Sequence, residues 1–523
     1  MSVAQPFGRD ERPREWVAAT EMLTVGQQKI DVLTLLLLLL LIGAAAVAAV
    51  AQPKLMPWVF VGVAGLAVFA YWAARWEITL WAWIWVLSYG LLDWPEWKVP
   101  IPGFFTMTVP RFIFVGAVFV FGLHFLLRKQ LVRMDRLLLW IMLALTVYVG
   151  LNAWNAGWES SITELRSAPY FRFIGAIMLP LIMFFLVYNC VSREEQIQKA
   201  LILITVYGWF ALYIGYLQFA AIHGLGEARA FIWPPYINNP EYGIHFDRAR
   251  GAFIGAGPQA VFLVLLFYVD LFLIRRLKGP YRAALVVQAL LVPPAVFFAG
   301  LRSAYLAFLL CGLVWVLASK RWRFAMAKLG VAGIVVAAST FVLWSNLTTR
   351  ERARGGVAQM TPIEARKLLA LQTWRVFQEH PVFGVGFGHW AEAQMKLEDD
   401  PSSLGAMTTG VLVEHNLFLT MVAETGVIGL VGTILLFVLV FRQSMKLYRK
   451  LPPTASGTLC RGFVVLFWVA LVNFLTDAMF RDTLWDIFAN GMFWSLAALV
   501  VGYNRLLEPH PLDLSPAVGD TVR

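Results

Sequence analysis

A chain of 523 residues with 59% hydrophobic and 14% charged side chains is far from a soluble globular composition. Apolar runs of about 15 to 23 residues recur along its length, and a helix needs about 20 to cross a bilayer. The runs are continuous rather than alternating, which excludes a β-barrel and leaves an all-α, polytopic integral membrane protein. Its net charge of +11 is read as loop lysines and arginines that fix topology, not as affinity for nucleic acid.

In chain order, residues 1–31 are polar and of mixed charge, without the apolar core and small-residue cleavage site of a signal peptide. They are expected to form a cytoplasmic tail, followed by a transmembrane domain over 32–503 and a cytoplasmic tail over 504–523. About fourteen apolar segments give an expectation of 12 to 14 transmembrane helices. The segments centre on 33–50, 58–74, 78–92, 112–127, 137–151, 173–190 and 200–222, then 259–274, 283–299, 304–318, 327–344, 417–441, 463–476 and 487–501. The third and thirteenth are short enough to be re-entrant. There is no internal repeat and no second soluble domain.

The stretches 128–136, 275–282, 320–328 and 442–461 each hold at least four basic residues, with Asp135 the only acid among them. They fall on one side of the membrane if the N-terminus is cytoplasmic and the count of spans is even, which leaves the long loops outside. Cys190 and Cys460 border inner loops and Cys311 lies within a span, so no disulfide framework is expected.

Three outer loops stand out. Residues 93–110 are rich in Trp and Pro and read as an interfacial belt. Residues 223–257 contain WPPYINNPEYGIHFDRARGAF, and 345–414 form the longest connection. Within the last, Thr361-Pro-Ile-Glu364 is a capping box with proline at the first helical position. Leu371, Trp374 and Phe377 then give one apolar face, and His380-Pro381 ends the helix. Such an amphipathic helix would lie on the membrane surface or roof a cavity.

The next segment, PVFGVGFGHW (381–390), has glycines at 384, 386 and 388. Without a strand–loop–helix unit it is read as a tight turn with close backbone packing, not as a nucleotide loop. Five histidines (His223, His245, His380, His389, His415) fall in outer loops at spacings that match no zinc pattern, so no metal site is expected. His415, between Glu414 and Asn416 at the exit of the long loop, is either a capping or interfacial histidine or a general base. Arg302 lies in the short turn AGLRSAY between two spans and either snorkels to lipid phosphates or binds an anion. Arg248 and Arg250 lie in FDRARGAF, just before a span. Glu424 falls inside an apolar helix, where a carboxylate is costly unless paired or facing water. Asp270 is expected to pair with Arg275. Arg111, Arg166 and Arg172, at outer span ends, are read as lipid anchors, and His124 receives no function.

The organising stretch is VLVEHNLFLTMVAETGVIGL (411–430), with His415-Asn416, nine intervening positions, Gly426, two more, and Gly429. It resembles the signature of the O-antigen ligase and O-antigen polymerase superfamily. The resemblance is strongest over 248–430, and the first 200 residues match only in hydrophobic pattern. Two departures are visible: Leu301 precedes Arg302 and Ser303 follows it, where the family carries a Ser-Arg type of pair, and Pro258-Gln259 stands where the family has Pro-Asn.

The resemblance implies a GT-C-like fold in the bacterial inner membrane with the active site facing the periplasm. It implies an inverting glycosyltransferase that needs no metal or other cofactor and takes an undecaprenyl-diphosphate-linked glycan as donor. His415 would activate the acceptor hydroxyl, Arg302 and Arg250 with Arg248 would hold the diphosphate, and Asn416, Glu414 and Glu424 would complete the substrate-facing set. The acceptor would be lipid A core for a ligase, another lipid-linked glycan for a polymerase, or Ser/Thr for a protein O-oligosaccharyltransferase. Membrane lipid is an implied partner and nucleic acid is not. The competing class is a membrane transporter or flippase.

Overall fold

The computed structural model describes residues 78–91, 99–100, 106–128, 134–158, 169–232, 248–253, 255–318, 362–398, 416–452 and 457–507. The chain divides into two compact units, Met1–Ile78 with Val115–Val132, and Thr79–Phe114 with Arg133–Arg523. Of the first unit the described residues are Ile78 and the helical 115–128. The expected segments 33–50, 58–74 and 327–344 lie outside the described residues.

The described helices are α1 (Ile78–Leu91), α2 (Val109–Arg128), α3 (Arg136–Ala156), α4 (Pro169–Cys190), α5 (Glu195–Ile222), α6 (Ala256–Ile274) and α7 (Gly279–Phe298). They continue as α8 (Arg302–Leu317), α9 (Pro362–Glu379), α10 (Trp390–Glu398), α11 (Leu417–Lys450), α12 (Arg461–Phe480) and α13 (Ile487–Leu506). A two-residue antiparallel ladder, Val99–Pro100 on Thr106–Met107, joins α1 to α2. The architecture is all-α and membrane-spanning: among the described residues eight helices, α3 to α7 and α11 to α13, are long and apolar enough to cross a bilayer. Shorter apolar stretches, Val109–Gly122 and Arg302–Leu317, add to these. At 14 residues α1 is about 21 Å long at 1.5 Å per residue, short of the roughly 30 Å hydrocarbon core. The thirteenth apolar segment is not short, because α12 extends it to 20 residues.

Burial sorts the helices of the second unit. In the apolar window of α13, 94% of residues are buried, against 28% in α3, so α13 is central and α3 peripheral. Helices α4, α11 and α12 pack around α13, with an aromatic cluster between them: Phe474 and Phe493 have ring centroids 4.6 Å apart, and Phe437 stacks on Trp494 at 5.6 Å. Helices α5, α6, α7 and α8 complete the packing, α6 against α7 and α12, and α8 against α12. Polar side chains hold helix to helix inside this apolar mass: Asn473 Nδ2 donates to the Val261 carbonyl (2.8 Å), Tyr268 to Phe308 (2.8 Å), and Gln288 to Thr205 (2.8 Å). Such bonds average about 0.6 kcal/mol each in membranes, so their main effect is register.

The two ends of this bundle differ. At the basic end Asp135 caps α3 and accepts from Gln443 on α11 (2.9 Å), which in turn accepts from Asn504 on α13 (2.6 Å). Glu194, in the α4–α5 link, accepts from the Leu459 amide (2.9 Å). At the opposite, loop end, four chain segments converge: the α4 start, the 248–253 turn, the 380–390 turn and the α12–α13 link.

Candidate active site

The site is built around a break in α11. Asn416 caps the helix, its Oδ1 accepting from the Phe418 (2.9 Å) and Leu419 (3.1 Å) amides. Its Nδ2 donates to the Met479 carbonyl at the end of α12 (3.0 Å). Two and a half turns on, Gly426 leaves the helical region at φ 64°, ψ −167°. The Val427 amide, which in a regular helix would bond Ala423, instead donates to the Pro381 carbonyl (2.9 Å). The carbonyls of Ala423 and Glu424 accept from the Val385 and Gly386 amides (2.9 Å each), and that of Thr425 from the Tyr148 hydroxyl (2.6 Å). Lipid offers no alternative partner for broken backbone bonds, so the 381–386 turn splints the break.

The splint demands glycine twice. Gly384 and Gly426 both have positive φ (68° and 64°), and a side chain on either would run into backbone of the other segment. The turn is anchored from α3: Asn152 Nδ2 donates to the Phe383 carbonyl (2.7 Å), and its Oδ1 accepts from the Phe387 amide (2.6 Å). The ring nitrogens of His389 bridge the Gly157 carbonyl (2.9 Å) and the Glu392 carboxylate (2.7 Å). PVFGVGFGHW is therefore a tight turn with close backbone packing.

Beneath it lie two ionic groups, one fully buried and one whose arginine side chain is 25% exposed. Arg172, at the start of α4, donates from Nη1 to Glu424 (2.6 Å) and from Nη2 to Asp482 (2.6 Å). The three side chains are at most 3% exposed. Arg481 donates from Nε and Nη2 to Asp477 (3.0 and 2.6 Å) and from Nη2 to Asp486 (2.7 Å). Burial opposes the charge on Arg481, but Asp477 and Asp486 overcome it and hold the guanidinium above its usual range. Burial likewise pushes the Asp482 carboxyl up, against the lowering effect of Arg172.

The remaining arginines approach from the other side. The Ala249 amide bonds the Phe298 carbonyl (3.0 Å), tying the Arg248–Arg250 turn to the turn that starts α8. Arg248 lies against Gly300, where a Cβ would sit 3.4 Å from its side chain. Gln218 clamps the turn further, accepting from the Arg250 (2.9 Å) and Gly251 (2.8 Å) amides and donating to the Gly251 carbonyl (3.0 Å). Arg250 is buried, and burial pushes its guanidinium down to about 10, still charged at neutral pH. Arg302 opens α8, exposed, and close enough to Arg366 of α9 that their charges repel. Partial desolvation and Arg302, in that order, push the Arg366 guanidinium down, although the residue as a whole is exposed. Arg366 also sits over the Phe480 ring at 5.8 Å, one residue from the Met479 carbonyl that receives Asn416. Arg248, Arg302, Arg366 and Asn416 therefore lie at the same end of the bundle, around the α7–α8 turn and the end of α12. Like-charged guanidiniums gathered at a helix N-terminus are what an oxyanion would relieve.

The family model for O-antigen ligase matches residues 287–434. That stretch is similar to O-antigen ligases. The match supports the O-antigen ligase and polymerase superfamily and an O-antigen ligase-type membrane glycosyltransferase. No curated protein matches the chain. The ligase domain, as matched, runs from the middle of α7 past the α11 break. It includes Arg302, Arg366, the 381–390 turn and Glu424, while Arg172, Arg248, Arg250 and the Asp477–Asp486 stretch lie outside it.

Against the sequence expectations, His415 and Glu414 lie outside the described residues; Asn416, joined to His415 by one peptide bond, is a helix cap. Arg248, Arg250 and Arg302 share the loop end of the bundle. Glu424 is paired, and its partner is Arg172. That corrects the reading of Arg172 as a lipid anchor: its carboxylate partners stand 252 and 310 positions away, a separation that span-by-span reading does not bridge. The detectable signal is the set of carboxylates within or beside apolar segments, since Glu424, Asp477, Asp482 and Asp486 need buried cations. Arg366 was also missed, as one charge on an amphipathic helix.

Two further expectations change. Asp270 does not pair with Arg275: its carboxylate oxygens have no hydrogen-bond partner among the described residues, and Arg275 lies over the Trp315 ring at 5.8 Å. Five residues turn a helix by about 140°, so the two side chains point to different faces. In α9 the packed face is Leu369, Gln372, Thr373 and Val376, with Leu369 and Val376 against Trp390 and Ala423, whereas Leu371 and Trp374 are exposed. Two apolar stripes share that helix, and the one at i, i+3, i+4, i+7 meets the protein. The expected start at Pro362 and the end before His380-Pro381 match the helix found. Among the described residues no group of three or more His, Cys, Asp or Glu side chains could hold a metal ion.

Proposed function

We propose that this protein transfers a glycan from an undecaprenyl-diphosphate donor to an acceptor hydroxyl, at the periplasmic face of the bacterial inner membrane. The observation that supports the reading is the gathering of Arg248, Arg250, Arg302 and Arg366 at the same end of the bundle as the cap that follows His415 in sequence. A diphosphate at headgroup level is the oxyanion that such a cluster suits, because each guanidinium offers a planar fork to two oxygens. The acceptor oxygen attacks the anomeric carbon as the bond to the diphosphate oxygen breaks. The proton passes to the His415 imidazole, and the electron pair leaves on undecaprenyl diphosphate, whose added charge Arg302, Arg250 and Arg248 stabilise. One direct displacement inverts the anomeric centre. The fold is of the GT-C type on this reading, and α9 roofs the donor site with Arg366 as a fourth cation. Asn416 sets the entry of α11, and Glu414 flanks the acceptor. Glu424, bonded to Arg172, supports the site from below. The acceptor is lipid A core or a second lipid-linked glycan, and the family match accords with either.

The test uses purified protein with a lipid-diphosphate-linked oligosaccharide and either lipid A core or the lipid-linked unit as acceptor. Transfer by the wild type, lost in His415→Ala and Arg302→Ala variants that still fold, is the expected result. Donor that stays intact with both acceptors, or crosses the bilayer unchanged, would replace this reading with transport.

A further inference from the structure

We propose that Arg172 is a positioning residue for the transfer reaction, holding the first segment of α11 in the orientation that the base requires. The proposal rests on the reading of His415 as that base.

The segment 417–425 is bounded by the Asn416 cap and the Gly426 break, so the rest of α11 does not fix its direction. Its orientation comes from its neighbours. Arg172 touches three of them or their anchors: Glu424 within the segment, Asp482 in the link between α12 and α13, and the Phe387 ring of the splinting turn, 5.0 Å from its guanidinium carbon. Each carboxylate is reached by a different nitrogen of one planar group, which sets angle as well as distance. Lysine carries the same charge but lacks that fork.

Arg172 is itself held. It immediately precedes a π-helical turn, Phe173–Met178, a rare local geometry that recurs at functional sites. Within that turn Gly175 faces Ile487 at the start of α13, where a Cβ would stand 2.7 Å from the isoleucine terminus. The backbone that carries Arg172 thus packs against the most buried helix of the unit, and its guanidinium bonds the segment that follows His415 in sequence.

Stability alone is a poor account of this arrangement. One cation between two buried carboxylates is costly to desolvate, and apolar packing would hold the helices as well. What a fork adds is a fixed angle.

The full-length protein in lipid nanodiscs tests the assignment through Arg172→Lys, Glu424→Gln and Glu424→Leu. Arg172→Lys is expected to lower kcat by about 10- to 100-fold, the scale of a misplacement near 1 Å, with donor KM changed by less than about threefold. Amide exchange over 418–424 should accelerate by about tenfold or more while the other helices keep wild-type protection. Glu424→Gln keeps an oxygen for Arg172 and should lose less kcat than Glu424→Leu, which should repeat the Arg172→Lys loss. Wild-type kcat in Arg172→Lys overturns the proposal, as does faster exchange spread evenly over the molecule, which marks a purely structural role. A wild type that transfers nothing sinks the transferase reading and this role together; transfer by the wild type with full activity in Arg172→Lys sinks this role alone.

Discussion

The two ends of the helix bundle use charge in opposite ways. At the basic end Arg282, Arg442, Lys446 and Arg449 are exposed, and the charged side chains that join helices there, such as Asp135 with Gln443 and Lys450 with the Asn504 carbonyl (3.3 Å), bond neutral groups. At the loop end Arg172 and Arg250 are 5% and 3% exposed, two arginines are each held by two carboxylates, and a transmembrane helix is broken and splinted. Charges that only orient a protein in a bilayer can stay in water. Charges that are desolvated at this expense, and surrounded by backbone that only glycine can form, belong to a site.

Substitutions should divide along the same line. The largest effect is expected from His415→Ala, a loss of about 10² to 10⁴ in kcat, the range for a positioned base. Arg302→Ala should follow with about 10² to 10³, read in the same assay. Equal and small effects at both positions would erase the distinction between the ends. Next comes Gly426→Ala or Gly384→Ala, where left-handed strain of about 1 to 3 kcal/mol adds to the clash across the splint. Thermal unfolding in detergent should drop by several degrees for each, and a wild-type melting temperature would show that the splint is dispensable.

Arg366→Ala should raise donor KM by about 3- to 10-fold, a loss of roughly 1 kcal/mol, while leaving kcat nearly intact. The pH response sharpens the role of Arg250. With its guanidinium lowered to about 10 by burial, it stays protonated below that pH and loses its charge above it. Donor KM should therefore be insensitive to this group from about pH 6 to 9 and climb as pH passes about 10; a KM that falls on that climb contradicts an anion-binding Arg250. The smallest effect belongs to the basic end: Arg442→Gln with Lys446→Gln should change neither kcat nor melting temperature beyond error.

Much of this was legible beforehand. Continuous apolar runs fix an all-α membrane protein, since hydrocarbon leaves few choices to the backbone. Proline at 362 and His380-Pro381 bracket α9 because capping and the loss of an amide act locally. Arg302 was visible for the same reason: a four-residue turn holds it at the membrane surface whatever the rest of the chain does. Arg172 was not, because nothing near it in sequence distinguishes it from Arg111, and its partners are supplied by helices that follow in the second half of the chain. The choice between two apolar stripes on α9 was equally closed, as each has helical spacing and tertiary contact decides which is covered. The break at Gly426 had only its glycine to announce it.

That break also sets rules for rebuilding the protein. Segments 381–390 and 417–427 complete each other's backbone bonding, so they behave as one module although a long connection separates them in sequence. A chimera that aims to exchange acceptor preference with a relative should cut after Glu398 and before Asn416, leaving both halves of the module from one parent. A junction placed between Pro381 and Trp390 would pair foreign partners across the break and strand amides in the membrane.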